Sequence, residues 1–143
     1  MSTQENKQVV KELYEAYNHG DITTKLGLLS EDVIWRLPGT VPHYSGTYTG
    51  PRRVAEFFQE LNINVEIEAF EPREFLAEAD RVLVIGWSRG RVKSTGRVFD
   101  NSWVMAFTVR SGRITTFEEY ADTQALAAAN NVIFRAAIGV PMP

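Results

Sequence analysis

Residues 107–122, FTVRSGRITTFEEYAD, contain the pattern that decides the fold. The Ser-Gly pair at 111–112 is a tight-turn signal between two runs rich in β-branched and aromatic residues, which predicts a β-hairpin with strands at 98–109 and 113–120. Toward the N-terminus, apolar alternation and apolar runs within 62–87 predict two further strands. We therefore expect a four-strand antiparallel meander in the second half of the chain.

Three details of this strand region have structural consequences. Pro72 predicts a bulge or an edge segment, because proline cannot donate to a strand ladder. The run at 81–87 is almost continuously apolar, so both faces of that strand are expected to be covered. On the long strand, alternation places Asn101 and Met105 on the inner face and Asp100 on the outer face.

The first half of the chain has helical periodicity. The pattern predicts an amphipathic helix over roughly the first 18 residues, a short helix capped by Asp21 that carries Leu26 and Leu29, and a third helix that starts at Pro51. One short strand at 33–37 and a Gly/Pro-rich loop at 38–50 separate the second of these helices from the third. Helices followed by a meander indicate an α+β fold, in which helices on one face of a curved sheet enclose a pocket for a small apolar molecule.

The composition fits one soluble domain. The 143 residues include 15 Lys+Arg, 18 Asp+Glu and no cysteine, which gives a formal net charge of −3. Disulfides, thiolate zinc sites and cysteine nucleophiles are therefore excluded, and the lack of a basic run argues against a nucleic-acid partner. No run approaches the roughly 18 apolar residues of a membrane span, and the polar N-terminus has no signal-peptide core. We expect a cytoplasmic protein without membrane contact.

A single domain is expected over residues 1–131, because the chain shows no linker, repeat or low-complexity stretch. Asp122 is expected to cap a last short helix within this domain. The segment 132–143 is unusually apolar for a free terminus. It is therefore expected to pack on the pocket mouth or on a dimer partner.

Several segments resemble the nuclear transport factor two-like superfamily, and within it the SnoaL-like and ketosteroid isomerase-like proteins. They are YNHGD at 17–21, LLSEDVIWRLPG at 28–39, YSGTYTGPRRVAEFF at 44–58 and the hairpin at 107–122. The resemblance covers most of residues 5–128. It implies a cone-shaped, curved antiparallel or mixed sheet packed against three helices, of the cystatin-like class, with a deep pocket. It also implies a homodimer that forms through the sheet.

The resemblance to the ketosteroid isomerases carries over unevenly. Their carboxylate base follows the first strand, where this sequence has Leu37. Their oxyanion hole uses a tyrosine on the first helix and a protonated aspartate on the long strand, which fall at Leu13 and Met105. These substitutions disfavour the steroid isomerase mechanism, unless the register shifts by one residue and Tyr14 serves.

Glu119 is the leading catalytic candidate, because the SnoaL-type cyclases and limonene epoxide hydrolases carry an acid/base carboxylate in the last strand before an aromatic residue. Here a glutamate in EEY replaces their aspartate. The arginine and second aspartate of the hydrolases fall at Gly86 and Ser88, which disfavours a hydrolase of that type. If Glu119 points inward, burial should raise the pKa of its carboxyl group toward neutrality. The alternative is a solvated Glu119, with Glu118 on the inner face.

His43, in the loop at the expected pocket mouth, is the second catalytic candidate, as an acid/base partner for Glu119. The alternative is a loop histidine bonded to backbone. Asn101 is either a donor to a ligand carbonyl or a structural amide. The residues expected to bind substrate are Tyr14, Tyr17, Trp35, Leu37, Phe58, Trp87, Asn101, Trp103, Met105 and Phe117.

These features predict an enzyme that uses no cofactor and no metal ion. It would run acid/base chemistry of the isomerase, cyclase, dehydratase or epoxide-hydrolase type on a small hydrophobic molecule that bears oxygen. The alternative is a non-catalytic, homodimeric binding module for a small hydrophobic ligand or a partner protein. A weaker alternative is a structural dimer whose cavity is filled by its own tail.

Overall fold

The computed structural model describes residues 2–131, so the predicted packing of the tail at 132–143 lies outside the described residues. This part of the chain forms four helices and six strands. The helices are α1 (Thr3–Asn18), α2 (Ile22–Gly27), α3 (Pro51–Asn64) and α4 (Thr123–Ala129). The strands are β1 (Leu29–Leu37), β2 (Gly46–Thr49), β3 (Val65–Glu78), β4 (Arg81–Val92), β5 (Val98–Arg110) and β6 (Arg113–Tyr120).

The strands form one mixed sheet in the order β2-β1-β6-β5-β4-β3. The predicted antiparallel meander of β3 to β6 is confirmed, and so is the α+β class with a curved mixed sheet. β1 adds to the meander in parallel with β6, and β2 pairs with β1. The expectation of an uninterrupted loop at 38–50 is wrong at β2, because this short strand needs β1 as its template.

Local signals place the helices. A capping box between Ser2 and Glu5 starts α1, and the Asp21 side chain accepts a bond from the Thr24 amide at the start of α2. Pro51 occupies the first turn of α3, as predicted. The expected reach of α2 to Leu29 is wrong, because that residue begins β1 and is buried.

The helices cover one face of the sheet, and β4 shows the consequence. Val82 and Val84 are fully buried beneath the helices, whereas Leu83 and Ile85 each expose 37% of their surface. The expectation that both faces of this strand are covered is therefore wrong within the described chain, since alternate residues point to opposite faces. A homodimer through the sheet would cover the outer face, and it stays a prediction.

Two local features, a bulge in β3 and a glycine in β4, shape the sheet. The bulge predicted at Pro72 is confirmed by a register shift between Pro72 and Glu74. On β4, Gly86 lies opposite Trp103, and a Cβ atom at Gly86 would come within 2.4 Å of the indole ring. The missing side chain therefore lets Trp103 lie across the strand and form part of the cavity wall.

Candidate active site

An apolar cavity of about 90 Å³ lies between the inner face of the sheet and the helices. Stacked rings form much of its wall: Phe117 stacks on Trp35 with centroids 3.7 Å apart, and Phe70 stacks on Trp103 at 5.2 Å. This cavity is lined by most of the residues that were predicted to form the site. They are Tyr14, Tyr17, Trp35, Phe58, Asn101, Trp103, Met105, Phe117 and Glu119.

Glu119 on β6 points inward and is 7% exposed. It lies opposite Met105 in the ladder between β5 and β6, so its carboxyl group faces the cavity instead of solvent. Burial raises the pKa of this carboxyl group from 4.5 to about 7, while hydrogen bonds from Tyr44 and Asn101 partly offset the rise. The inward placement that the resemblance implied is the one observed.

Tyr44 is the direct partner of Glu119, and the sequence reasoning missed it. Its hydroxyl group donates to Glu119 Oε2. Burial and the Glu119 carboxylate both raise the pKa of Tyr44 well above its ordinary value of 10, so the phenol keeps its proton. Its position in the sequence could have indicated this role, because Tyr44 follows His43 in the loop at the expected pocket mouth.

A tight turn after Val41 explains why Tyr44 enters the cavity and His43 does not. The Ser45 amide donates to the Val41 carbonyl at 2.9 Å, and His43 adopts a left-handed φ of 59°. The His43 ring lies near the surface with Nδ1 2.8 Å from Glu60 Oε1, and both side chains are about half exposed. The expected pairing of His43 with Glu119 is therefore not what the structure shows.

The side-chain amide of Asn101 is held in place by contacts with Asp122 and Ser88. Its Oδ1 accepts a 2.8 Å bond from the Asp122 amide, and its Nδ2 lies 3.5 Å from Ser88 Oγ. Its amide also lowers the pKa of the Glu119 carboxyl group, because a hydrogen bond favours the charged form. Asp122, at the same time, caps α4 through the Ala125 amide as predicted.

Further hydrogen-bond donors line the cavity with weak partners or none. The Tyr14 hydroxyl donates to Met105 Sδ at 3.1 Å, and a thioether is a weak acceptor. Among the described residues, the indole N–H groups of Trp35 and Trp103 have no partner. An oxygen atom of a bound molecule would supply an acceptor that these groups otherwise lack.

Two predicted substrate-binding residues lie outside the cavity lining. Leu37 is 1% exposed and packs into the general core, so the position of the isomerase base is filled by an apolar residue away from the cavity surface. Trp87 points to the outer face of β4, where the Arg73 guanidinium lies 5.4 Å from its ring. Strand alternation explains the error, because the neighbouring Ser88 takes the inward position.

Lys25 on α2 is a second residue that sequence reasoning missed. It is 7% exposed and lines the cavity, with Nζ 3.7 Å from the centroid of the Phe58 ring. Burial lowers its pKa from 10.5 to about 8. A lysine on a short polar helix gives no sequence signal of burial, since lysine is almost always exposed.

Metal ligands do not cluster in the described part of the chain. Within residues 2–131, no three His, Asp or Glu side chains are close enough to one another to hold a metal ion. In the same residues, none of the helices has the length and apolar character needed to cross a membrane.

The protein-family model of the SnoaL-like domain matches residues 10–117 of this chain. The chain belongs to the SnoaL-like family. No curated protein matches the sequence. The family assignment agrees with the curved mixed sheet and its helices.

Solved structures share the architecture of this SnoaL-like chain. An NTF2-like protein from Burkholderia xenovorans LB400 is 46% identical, with a TM-score of 0.84 over 90% of this chain and 98% of that one. TerC, co-crystallized with polyporic acid, is 26% identical, with a TM-score of 0.79 over 89% and 98% of the two chains. A protein of Xanthomonas campestris pv. campestris, named as a candidate polyketide cyclase, is 25% identical, with a TM-score of 0.72 over 89% and 97%.

Proposed function

We propose that this SnoaL-like chain is an acid/base enzyme that needs no cofactor and moves protons on a small hydrophobic molecule that bears oxygen. Glu119 is the acid/base residue in this proposal, and Tyr44 is its positioning partner. One observation carries the proposal: a carboxyl group 7% exposed in an apolar cavity, with a pKa of about 7. Perturbed carboxyl groups of this kind concentrate at functional sites.

A pKa near 7 suits Glu119 to transfer protons in both directions at neutral pH. As a carboxylate it accepts a proton from carbon next to a carbonyl group, and as an acid it returns the proton to another atom. The Tyr44 hydroxyl donates to Oε2 and keeps its own proton, so it orients the carboxylate without competing for the substrate proton.

Neutral donors in the cavity would stabilise the negative charge that develops on the substrate oxygen. Tyr14 is the best placed, because its hydroxyl now rests on a thioether sulfur that a ligand oxygen would replace as acceptor. Trp35 and Trp103 also line the cavity, and their indole N–H groups have no partner among the described residues. Such a set favours enolisable carbonyl compounds as the substrate class.

Two comparisons support this proposal. The Xanthomonas campestris relative is named as a candidate polyketide cyclase, which is an enzyme class. TerC was co-crystallized with polyporic acid, an organic molecule. Both relatives share the fold of this chain, so catalysis and ligand binding are compatible with it.

Deuterium exchange tests the proposal with simple ketones in place of the natural substrate. We would incubate the protein in D2O with a panel of enolisable ketones, beginning with 2-tetralone, and follow loss of the α-proton signals by NMR. Epoxides of similar size would test ring opening. Wild type should exceed the buffer rate, and Glu119→Gln should lower the excess by at least about 100-fold, the usual contribution of a general base.

Glu118→Gln is the matched control, because this neighbouring carboxylate lies on the outer face and pairs with Arg36. It should exchange the same ketones at the wild-type rate. Equal loss in both variants would point to a general structural defect and remove the assignment to Glu119. No exchange or ring opening above buffer across the panel would contradict the proposed enzyme.

A non-catalytic binding module is the second candidate. Glu119 is the single acidic residue among the described residues that line the cavity, which leaves no second carboxylate to share the chemistry. This candidate predicts that ketones of the panel bind and leave unchanged, with no exchange. The same NMR spectra distinguish the two, since binding shifts protein signals while exchange alters ligand signals.

A further inference from the structure

Lys25 is the only cationic side chain that lines the cavity, among the residues that the structure describes. Burial lowers its pKa, and none of the ion pairs found within residues 2–131 involves Lys25. Because charged groups are rarely buried without a partner, the site lacks an anion that a ligand would supply.

Aromatic rings hold the Lys25 ammonium group in place. Its Nζ lies 3.7 Å from the Phe58 ring centroid and 5.2 Å from that of Tyr17. These contacts favour the charged form and fix its position, and no hydrogen bond joins Nζ to another of the described residues. With a pKa of about 8, the group is still mostly protonated at pH 7.

Lys25 lies where the cavity meets a second concave surface. This groove, of about 1060 Å³, runs between α1, α2, α3 and β3 and shares Tyr17, Lys25 and Phe58 with the cavity. The acidic residue in the described groove lining, Glu68, is 3.5 Å from both Arg89 and Arg91, so its charge is already paired. An anionic group at Lys25 would therefore meet a positive charge without facing a free carboxylate.

Lys25 and Glu119 both line the cavity but contact different neighbours. The Glu119 carboxyl group is bonded to Tyr44 and Asn101, and the Lys25 ammonium group lies over the Tyr17 and Phe58 rings. A single ligand can thus meet the carboxyl with one end and the ammonium with the other. A single point charge matches a monoanion, and a carboxylate is the compact monoanion of small apolar molecules.

We infer that the ligand of this cavity is an apolar molecule with one carboxylate group, and that Lys25 selects it by pairing with that carboxylate at the junction with the groove. This inference deepens the proposed function by naming a substrate class, and it rests on that function only for the reaction at Glu119. Binding of the carboxylate depends on Lys25 and not on the reaction, so it is measurable whether or not the chain catalyses one.

The test compares two probes that share one frame. 2-Naphthoate carries the carboxylate, and 2-naphthamide has nearly the same shape without the charge. Calorimetric titration of wild type at pH 7 should show tighter binding of the naphthoate. Lys25→Met should weaken the naphthoate by about tenfold and leave the naphthamide unchanged, because a charge-assisted hydrogen bond is lost. Lys25→Arg should retain the preference for the charged probe.

Lys11→Met is the matched control, because Lys11 is exposed and its Nζ also lies over an aromatic ring, 5.3 Å from Phe75. It should bind both probes like wild type. NMR of the lysine side chains adds an independent signature: saturation with 2-naphthoate should raise the pKa of Lys25 above about 8.

Several outcomes would overturn the inference. They are equal affinities of wild type for the two probes, no binding of 2-naphthoate at millimolar concentration, or a Lys25→Met variant that weakens both probes alike. The last result would mean that Lys25 only packs against the rings. Glu119→Gln should keep the preference for the naphthoate, so failure of the enzyme proposal and failure of this inference give different results.

Discussion

Glu118 and Glu119 are adjacent on β6, yet they meet opposite environments. Glu118 points outward, where Arg36 Nη2 lies 2.7 Å and the Tyr120 hydroxyl 2.9 Å from its Oε2. Glu119 points inward to rings and a phenol, and its pKa rises to about 7. Identical side chains therefore differ in chemistry because the helices cover only one face of the sheet.

The difference extends to the residues around the two glutamates. On the inner face, Phe117 is 2% exposed, whereas Tyr120 on the outer face is 51% exposed. The outer carboxylate is partly exposed and pairs with Arg36, whereas no arginine of the described residues lines the cavity beside Glu119. The cavity is thus the part of the molecule where a carboxyl group can exchange a proton at neutral pH.

The largest expected effect concerns packing. Phe117→Ala should lower the free energy of unfolding by about 3–5 kcal/mol, because it removes a buried ring that stacks on Trp35. Tyr120→Ala should change it by about 0.5 kcal/mol. Urea unfolding measures both. If Tyr120→Ala cost as much as Phe117→Ala in a concentration-dependent way, the outer face would be covered in solution, as the predicted homodimer requires.

The next effect is a pH dependence of stability that belongs to Glu119. Its folded-state pKa of about 7 exceeds its ordinary value of 4.5, so between these values the folded chain binds more protons than the unfolded chain. Its contribution is therefore fully present below pH 4.5 and is lost as the pH rises through about 7, for a total of about 3 kcal/mol. Urea unfolding from pH 4.5 to 8 should show this loss in wild type and not in Glu119→Gln. Parallel curves for the two proteins would contradict a raised pKa.

The smallest effect concerns the hydrogen bond from Tyr44, which lowers the pKa of Glu119. Tyr44→Phe removes a donor to the ionised carboxylate, so the pKa of Glu119 should rise further, by about one unit. Carbon NMR of the labelled carboxyl group measures the shift. Tyr48→Phe is the control, because its hydroxyl lies 3.5 Å from the Tyr44 carbonyl and donates no bond to Glu119. An unchanged pKa in Tyr44→Phe would remove Tyr44 as the positioning residue.

Much of the fold could be predicted from local pattern. The Ser-Gly turn at 111–112, the bulge at Pro72 and the cap at Asp122 each follow from backbone chemistry that neighbouring residues set. β2 escaped prediction because a four-residue strand at 46–49 carries too little alternation to read, and β1 supplies its pairing. Within residues 2–131, coverage of the outer face of β4 was overpredicted, because an apolar run alone does not reveal what packs against it.

The candidate site also combines features that the sequence predicted with features that only the packing of the chain decided. The sequence by itself determined that side chains alternate between the two faces of a strand, and it placed Asn101 inward. For the Glu118–Glu119 pair it left the inner face open, and the family resemblance favoured Glu119. Only the tertiary structure decided that Tyr44 meets Glu119 and that Lys25 lies buried over Phe58, while His43 turns to Glu60. The physical reason is separation along the chain: Tyr44 and Glu119 are 75 positions apart, and loops and short helices bring such groups together only when the whole core packs.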